Sequence, residues 1–310
     1  MANRVLKYYR AMRPVEDGGQ PVNLEAILRK LLGLVQLPHD IDAGDHFLKL
    51  SPIPENINFS GICLDVEKYT RNSHAIVVEH QTSDINTLPP PSGTDFVRGR
   101  YFALIKEHHV VVLHLEKLRH GACKKVGQLL AAQHPQNPLT TDEKRELKTL
   151  KLLPPMQRNA LQQIRDEGVK EIRTTQLIPA AFVHEQRRRG ITNPFQIVTA
   201  WLGWEDKVRF LDDPNGNLRF LNSTKPATRG GDKRAHELAE ETNLARIAFE
   251  EGDDDLTIIL GNDTKLTRDR MEYRKVVPFD EEQPGKIDAQ DAFNALLTYY
   301  NELLNEGAFD

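Results

Sequence analysis

Only two cysteines, Cys63 and Cys123, occur in the 310 residues. That is too few for a disulfide framework or a four-thiolate zinc site, and it suits a reducing compartment, so a cytoplasmic protein is expected. No stretch approaches the roughly 18 uninterrupted apolar residues of a membrane-spanning helix, so no membrane insertion is expected. The opening Met-Ala-Asn-Arg-Val-Leu-Lys-Tyr-Tyr-Arg threads charge where a secretory signal would carry an apolar core, and no signal is expected. Charge of one sign is also missing, since 41 basic and 45 acidic residues give a net −4. This argues against indiscriminate coating of nucleic acid but leaves room for a local basic surface. The balance is +2 up to Leu139 and −6 beyond it. Neither an internal repeat nor a low-complexity tract is present.

What the chain does carry is a mixture of helical and strand patterns. Leu24, Ile27, Leu28, Leu31, Leu32 and Val35 recur at spacings of three and four behind Asn23, which predicts a capped helix ended at Leu37-Pro38. Short strands are expected over Arg4–Ala11, Phe47–Ile53, Ile62–Val66 and Ala75–Glu79. The three prolines Pro89–Pro91 make Thr82–Gly93 a loop. Arg100–Ile105 and Val110–Leu115 read as a hairpin turning at Lys106–His109, followed by a helix over Arg119–Gln133. Beyond the polar run His134–Thr141 come a helix over Pro155–Glu167 stopped by Gly168, and a strand over Val169–Thr174. A hairpin of Val208–Leu211 and Leu218–Leu221 turns at Asn215-Gly216. A helix over Asp232–Glu250, strands over Leu256–Leu260 and Tyr273–Phe279, and a final helix with an apolar stripe from Phe293 to Leu304 complete the chain. The expected class is α+β, with mixed, mainly antiparallel sheets and packed helices. Two subdomains are expected, an N-terminal one over 1–135 and a C-terminal one over 141–310.

Nine of the eleven histidines fall between His39 and His134. Histidine is the side chain readiest to bind metal or move a proton near neutral pH, so chemistry is sought there first. His39, Asp40, Asp42, Asp45 and His46 place five potential ligands within eight residues, a set that could surround a divalent metal in a hydrolase or nuclease. Aspartate and glycine are equally what an ordinary turn uses. Arg119-His120-Gly121 has the form of a phosphatase triplet without its strand context. His74 and His80 stand too far apart in an extended strand to share a metal. His108 and His109, adjacent in a turn, are expected to face opposite ways at a solvated tip, and His114 lies between two leucines. Asp65, Glu67 and Lys68 are a fragment of a nuclease signature out of order. No catalytic residue is assigned and no cofactor is expected unless that divalent metal is bound.

Three basic points suit phosphate. Lys225, Arg229, Lys233 and Arg234 surround Gly230-Gly231 before a helix, where exposed amides and cations would meet a phosphate oxygen. Arg187, Arg188 and Arg189 precede Gly190, where a helix dipole alone would favour them. Arg98 and Arg100 lie beside Tyr101 and Phe102, a pairing that can engage a single strand by charge and stacking.

The hairpin Arg100–Leu115 running into a helix at Arg119, the segment Glu167-Gly168-Val169-Lys170-Glu171-Ile172, and Tyr299-Tyr300-Asn301-Glu302-Leu303 before Glu306-Gly307 resemble an uncharacterised bacterial family sometimes found beside phage-defence genes. The resemblance spans most of the chain. It implies a role in prokaryotic immunity and brings no established active site. The expected function is therefore a defence-associated component recognising nucleic acid or a partner protein, as a homo-oligomer or part of a complex. The alternatives are the metal-dependent hydrolase at His39–His46 and a structural adaptor that assembles through the final helix.

Overall fold

The computed structural model describes residues 2–13, 19–78, 85–115, 121–178, 208–211, 218–224, 245, 249, 256–280 and 286–309. The chain divides into two compact units, Met1–Pro154 with Arg274–Asp310, and Pro155–Tyr273. Both are built of antiparallel sheets with packed helices, the expected α+β class.

The first unit is organised on one large sheet. Its strands are β1 (Ala2–Met12), β2 (His39–Asp42), β3 (Phe47–Leu50), β4 (Ile62–Tyr69), β7 (Val97–Lys106), β8 (His109–Leu115), β9 (Lys151–Leu153) and β15 (Arg274–Phe279). They run in the order β15-β1-β8-β7-β4-β3-β2, with β9 also paired to β1. A separate ribbon joins β5 (Ala75–Val78) and β6 (Ile85–Leu88). The strand β6 occupies part of the expected loop Thr82–Gly93, because Ile85-Asn86-Thr87-Leu88 precedes the prolines and keeps its backbone donors.

Both faces of the sheet are covered, which explains the nearly unbroken apolar runs of β7 and β8. Tyr101, Ala103, Ile105, Val110 and Val112 join one core with α1 (Leu24–Leu32), α2 (Ala122–Gln133) and α3 (Thr141–Thr149). The alternate residues Phe102, Leu104, Val111 and Leu113 are equally buried. These face the other way, where Phe293 of the long helix Ala289–Asn305 meets Phe102 edge-on with ring centroids 5.5 Å apart. Asn23 caps α1 as expected, its side chain accepting from the Ala26 amide at 2.9 Å. A side chain at Gly127 would place its Cβ 2.9 Å from Leu28 and 3.1 Å from Leu147, so this glycine lets α1 and α3 close on α2.

The run His134–Thr141, expected to separate two subdomains, lies inside this unit. Leu139 within it and Leu147 beyond it belong to the same core as Leu130 before it. The side chain of Asn137 ties the run together, donating to the Ala131 carbonyl and accepting from the Leu139 amide. Thr140 then starts α3 with a capping box, its side chain accepting from the Glu143 amide while Glu143 accepts from the Thr140 amide.

The second unit carries β10 (Val169–Ile178), β11 (Val208–Leu211), β12 (Leu218–Thr224), β13 (Thr257–Leu260) and β14 (Lys265–Thr267), in the order β11-β12-β10-β13-β14. Helix α4 (Arg158–Glu167) ends at Gly168, whose φ of 70° is the positive value anticipated for a glycine there. A short helix, α5 (Arg268–Met271), follows β14. Met156, Ala160, Ile164, Ile172, Phe249, Ile258 and Met271 share the core. Strands β11 and β12 pair as a hairpin, with Leu211 opposite Arg219, whereas Asn215-Gly216 lies outside the described residues. Of the expected helix Asp232–Glu250, Ala245 and Phe249 are described; both are helical and buried.

Candidate functional site

The long helix of the first unit, α6 (Ala289–Asn305), buries Phe293, Leu296, Tyr299 and Leu303. Its stripe is therefore largely spent on its own sheet, while Leu304 stays 54% exposed. Among the described residues no helix is long and apolar enough to cross a membrane.

The basic positions fare unequally. Lys225, Arg229, Lys233, Arg234 and Arg187–Arg189 lie outside the described residues, as do Arg119 and His120. Arg100 is engaged inside the first unit. Its guanidinium donates from Nε to Asp65 Oδ1 at 2.9 Å and from Nη2 to Oδ2 at 2.6 Å. It also donates from Nη1 to the Ile287 carbonyl at 3.0 Å, approaches Glu67 at 3.5 Å and lies over the Phe102 ring. Asp65 is buried, so the pair is an internal fastening and not a phosphate contact. Arg98 donates to the His74 carbonyl at 2.6 Å and to the Ser73 hydroxyl at 3.3 Å. The acids Asp65 and Glu67, a nuclease fragment by sequence, serve Arg100.

Residues 39–46 form a hairpin, β2 to β3, with Asp42 opposite Phe47. Alternation along β2 sends Ile41 into the core and leaves Asp40 and Asp42 exposed, so His39 leaves on the other side from the two aspartates. Asp42 accepts from the Gly44 amide at 2.8 Å, a turn hydrogen bond, and Asp45 pairs with His46 Nδ1 at 2.5 Å. Asp40 is reached by Arg71 at 3.9 Å. No three of these donors gather closely enough to share an ion.

The gathering that does occur is at the turn between β7 and β8. One ligand atom each from Glu107, His108 and His109 lies within 4.8 Å of the others, and among the described residues no other such trio of His, Cys, Asp and Glu is present. The expectation that the two histidines face opposite ways at a solvated tip is overturned. Their rings sit 3.9 Å apart, and His109 is buried. The two-residue turn places Glu107 at φ 54°, as primed hairpin turns require, and brings His108 against the ring of His109. Tyr8 and Arg10 of β1 lie on the same face. Tyr8 hydroxyl is 2.7 Å from His109 Nδ1, and Arg10 donates to that hydroxyl at 3.1 Å and to the Ala308 carbonyl at 2.8 Å. Phe309 stacks on His109 at 4.3 Å. Burial first, then the neighbouring His108 and Arg10, holds the His109 pKa down at about 3 against an ordinary 6.5. The side chain of His114 is outside the described set.

That depression has a sign. The folded chain holds this proton less tightly than the unfolded chain, so the stability it contributes is present above about pH 6.5 and erodes as pH falls toward 3. Urea melts at pH 7 and pH 4.5 are expected to show a larger loss for the wild-type chain than for His109→Gln; equal losses would contradict this role.

One basic face went unread in the sequence. Helix α3 places Lys144, Arg145 and Lys148, with Thr141, at the spacing of a single helical side. Two of its three acids are engaged elsewhere, Glu143 by Lys30 at 2.6 Å and Glu146 by Arg13, while Asp142 is exposed. Lys144, Arg145 and Lys148 are exposed. A cleft of about 440 Å³ beside them is lined by Arg13, Asp142, Arg145, Glu146 and Thr149. The signal that could have located α3 is Thr140-x-x-Glu143, the capping box.

Neither cysteine is poised as a nucleophile. Burial pushes both the Cys63 and the Cys123 thiols up to about 11, which keeps them protonated at neutral pH. No protein-family model matches the chain, and no curated protein matches it.

Proposed function

We propose that the protein is a non-catalytic recognition component of prokaryotic defence that binds nucleic acid through its phosphates. The observation that carries this is the face of α3, where Lys144, Arg145 and Lys148 stand exposed against one exposed acid, Asp142, while Glu143 and Glu146 are held by Lys30 and Arg13. A helix side of this kind neutralises phosphates in succession without reading bases, and its binding falls with salt as counterions are released. The resemblance of the hairpin Arg100–Leu115 and of the closing Tyr299–Leu303 segment to proteins encoded beside phage-defence genes supports the biological setting. The loop cations Lys225, Arg229, Lys233 and Arg234, which lie outside the described residues, are a separate candidate for phosphate contact.

A salt series on single-stranded and duplex oligonucleotides tests this. The triple variant Lys144→Glu, Arg145→Glu, Lys148→Glu is expected to bind more weakly on every sequence. Its log-log salt slope on duplex should be shallower by about 3, since each lost phosphate contact removes roughly 0.9. Unchanged affinity and slope would remove α3 from the interface. Loss only on Lys225→Glu with Arg229→Glu would move the contact to the loop.

A further inference from the structure

The geometry points to a transition-metal site on the β7–β8 turn, formed by Glu107, His108 and His109 and taking a divalent cation of the zinc class. Two imidazole nitrogens and a carboxylate are a donor set for zinc, nickel or copper and not for calcium or magnesium, which prefer oxygen. In a tetrahedral zinc shell with bonds near 2.0 to 2.1 Å, neighbouring ligand atoms stand about 3.3 Å apart. The trio here lies within 4.8 Å, and Glu107 is exposed and free to rotate inward. Three protein donors leave a fourth position for water or an exogenous ligand.

The turn is held in place independently of any ion. Glu25 at the start of α1 grips it from both directions, its amide donating to the Glu107 carbonyl at 3.0 Å and its carboxylate accepting from the Glu107 amide at 2.8 Å. The Ala11 amide donates to the His108 carbonyl at 2.7 Å. Tyr8 hydroxyl is 2.7 Å from His109 Nδ1; with Nδ1–H donating to it, Nε2 is the nitrogen left to ligate, and Phe309 stacks on the ring. A hydrogen bond on the far nitrogen is the outer-shell support that ligating histidines ordinarily have. Arg10 beside the site has its guanidinium turned to the Tyr8 hydroxyl and the Ala308 carbonyl.

The proposal is separate from nucleic-acid binding, since none of its residues lies on α3. Its test uses the full chain, stripped with a chelator, desalted and titrated with cobalt(II), followed by competition with zinc(II). The expected result is close to one equivalent of cobalt with the visible bands of a low-symmetry nitrogen and oxygen site, erased by zinc. Glu107→Gln and His108→Ala should each weaken binding by about tenfold or more, and Tyr8→Phe, which touches no ion, by about tenfold. Glu107 is exposed, so Glu107→Gln keeps the test valid should His108→Ala fail to fold. No visible band in excess cobalt overturns the site. A band that survives both Glu107→Gln and His108→Ala, or that is lost instead on Asp42→Asn with His46→Ala, overturns it equally.

Discussion

Replacing Asp65 by alanine is expected to cost the first unit about 3 to 5 kcal/mol, the penalty of leaving one partner of a buried ion pair uncompensated. The side chain of Asp65 is 1% exposed and that of Arg100 18%, so water cannot take over what the carboxylate supplied. Removal of the acid would strand a guanidinium against Phe102, with the Ile287 carbonyl and the more distant carboxylates of Glu67 and Asp288 still near it. Asp65→Asn keeps the shape and one acceptor and should lose less. The double variant Asp65→Leu, Arg100→Met should lose less than Asp65→Ala alone, because a matched apolar pair carries no orphaned charge. Urea melts of these variants decide the matter. A loss below about 1 kcal/mol for Asp65→Ala would return Arg100 to the pool of cations available to a ligand.

Phe293→Ala should be as damaging, at about 3 to 5 kcal/mol, because the ring is fully buried and leaves a cavity over Phe102 that the sheet cannot fill. Leu304→Asp, on the exposed side of the same helix, should change stability by no more than about 0.5 kcal/mol. This contrast separates a helix that completes its own sheet from one that assembles copies. Sedimentation of both variants at matched concentration checks it. Folded Phe293→Ala that merely changes its association state would favour the adaptor reading.

The parts of the fold legible in advance are those written in a local period. The stripe of α6 and the hairpin of β7 and β8 repeat at intervals that neighbouring residues reveal, and Gly168 marks its own helix end. The helix α3 escaped because Leu147 is its one buried residue, so no apolar stripe announces it. The site was harder still. Asp65 finds Arg100 only through the register of β4 with β7, and His109 is covered by residues distant in sequence, Tyr8 of β1 and Phe309. Neighbour spacing says that residues 39–46 are rich in ligands; alternation along β2, a property of the paired strand, disperses them.

The pairing of β1 with β15 carries a consequence for synthesis. Ala2–Lys7 pair with β15 on the flank that β9 covers only at Arg10–Met12, so Ala2 has no partner there until Phe279, 277 residues later, has been made. At roughly 5 to 20 residues per second, the interval is about 14 to 55 seconds. For that time the start of β1 is a bare β-edge of the kind that recruits other strands, and the returning segment Arg274–Phe279 is the clasp that ends the exposure.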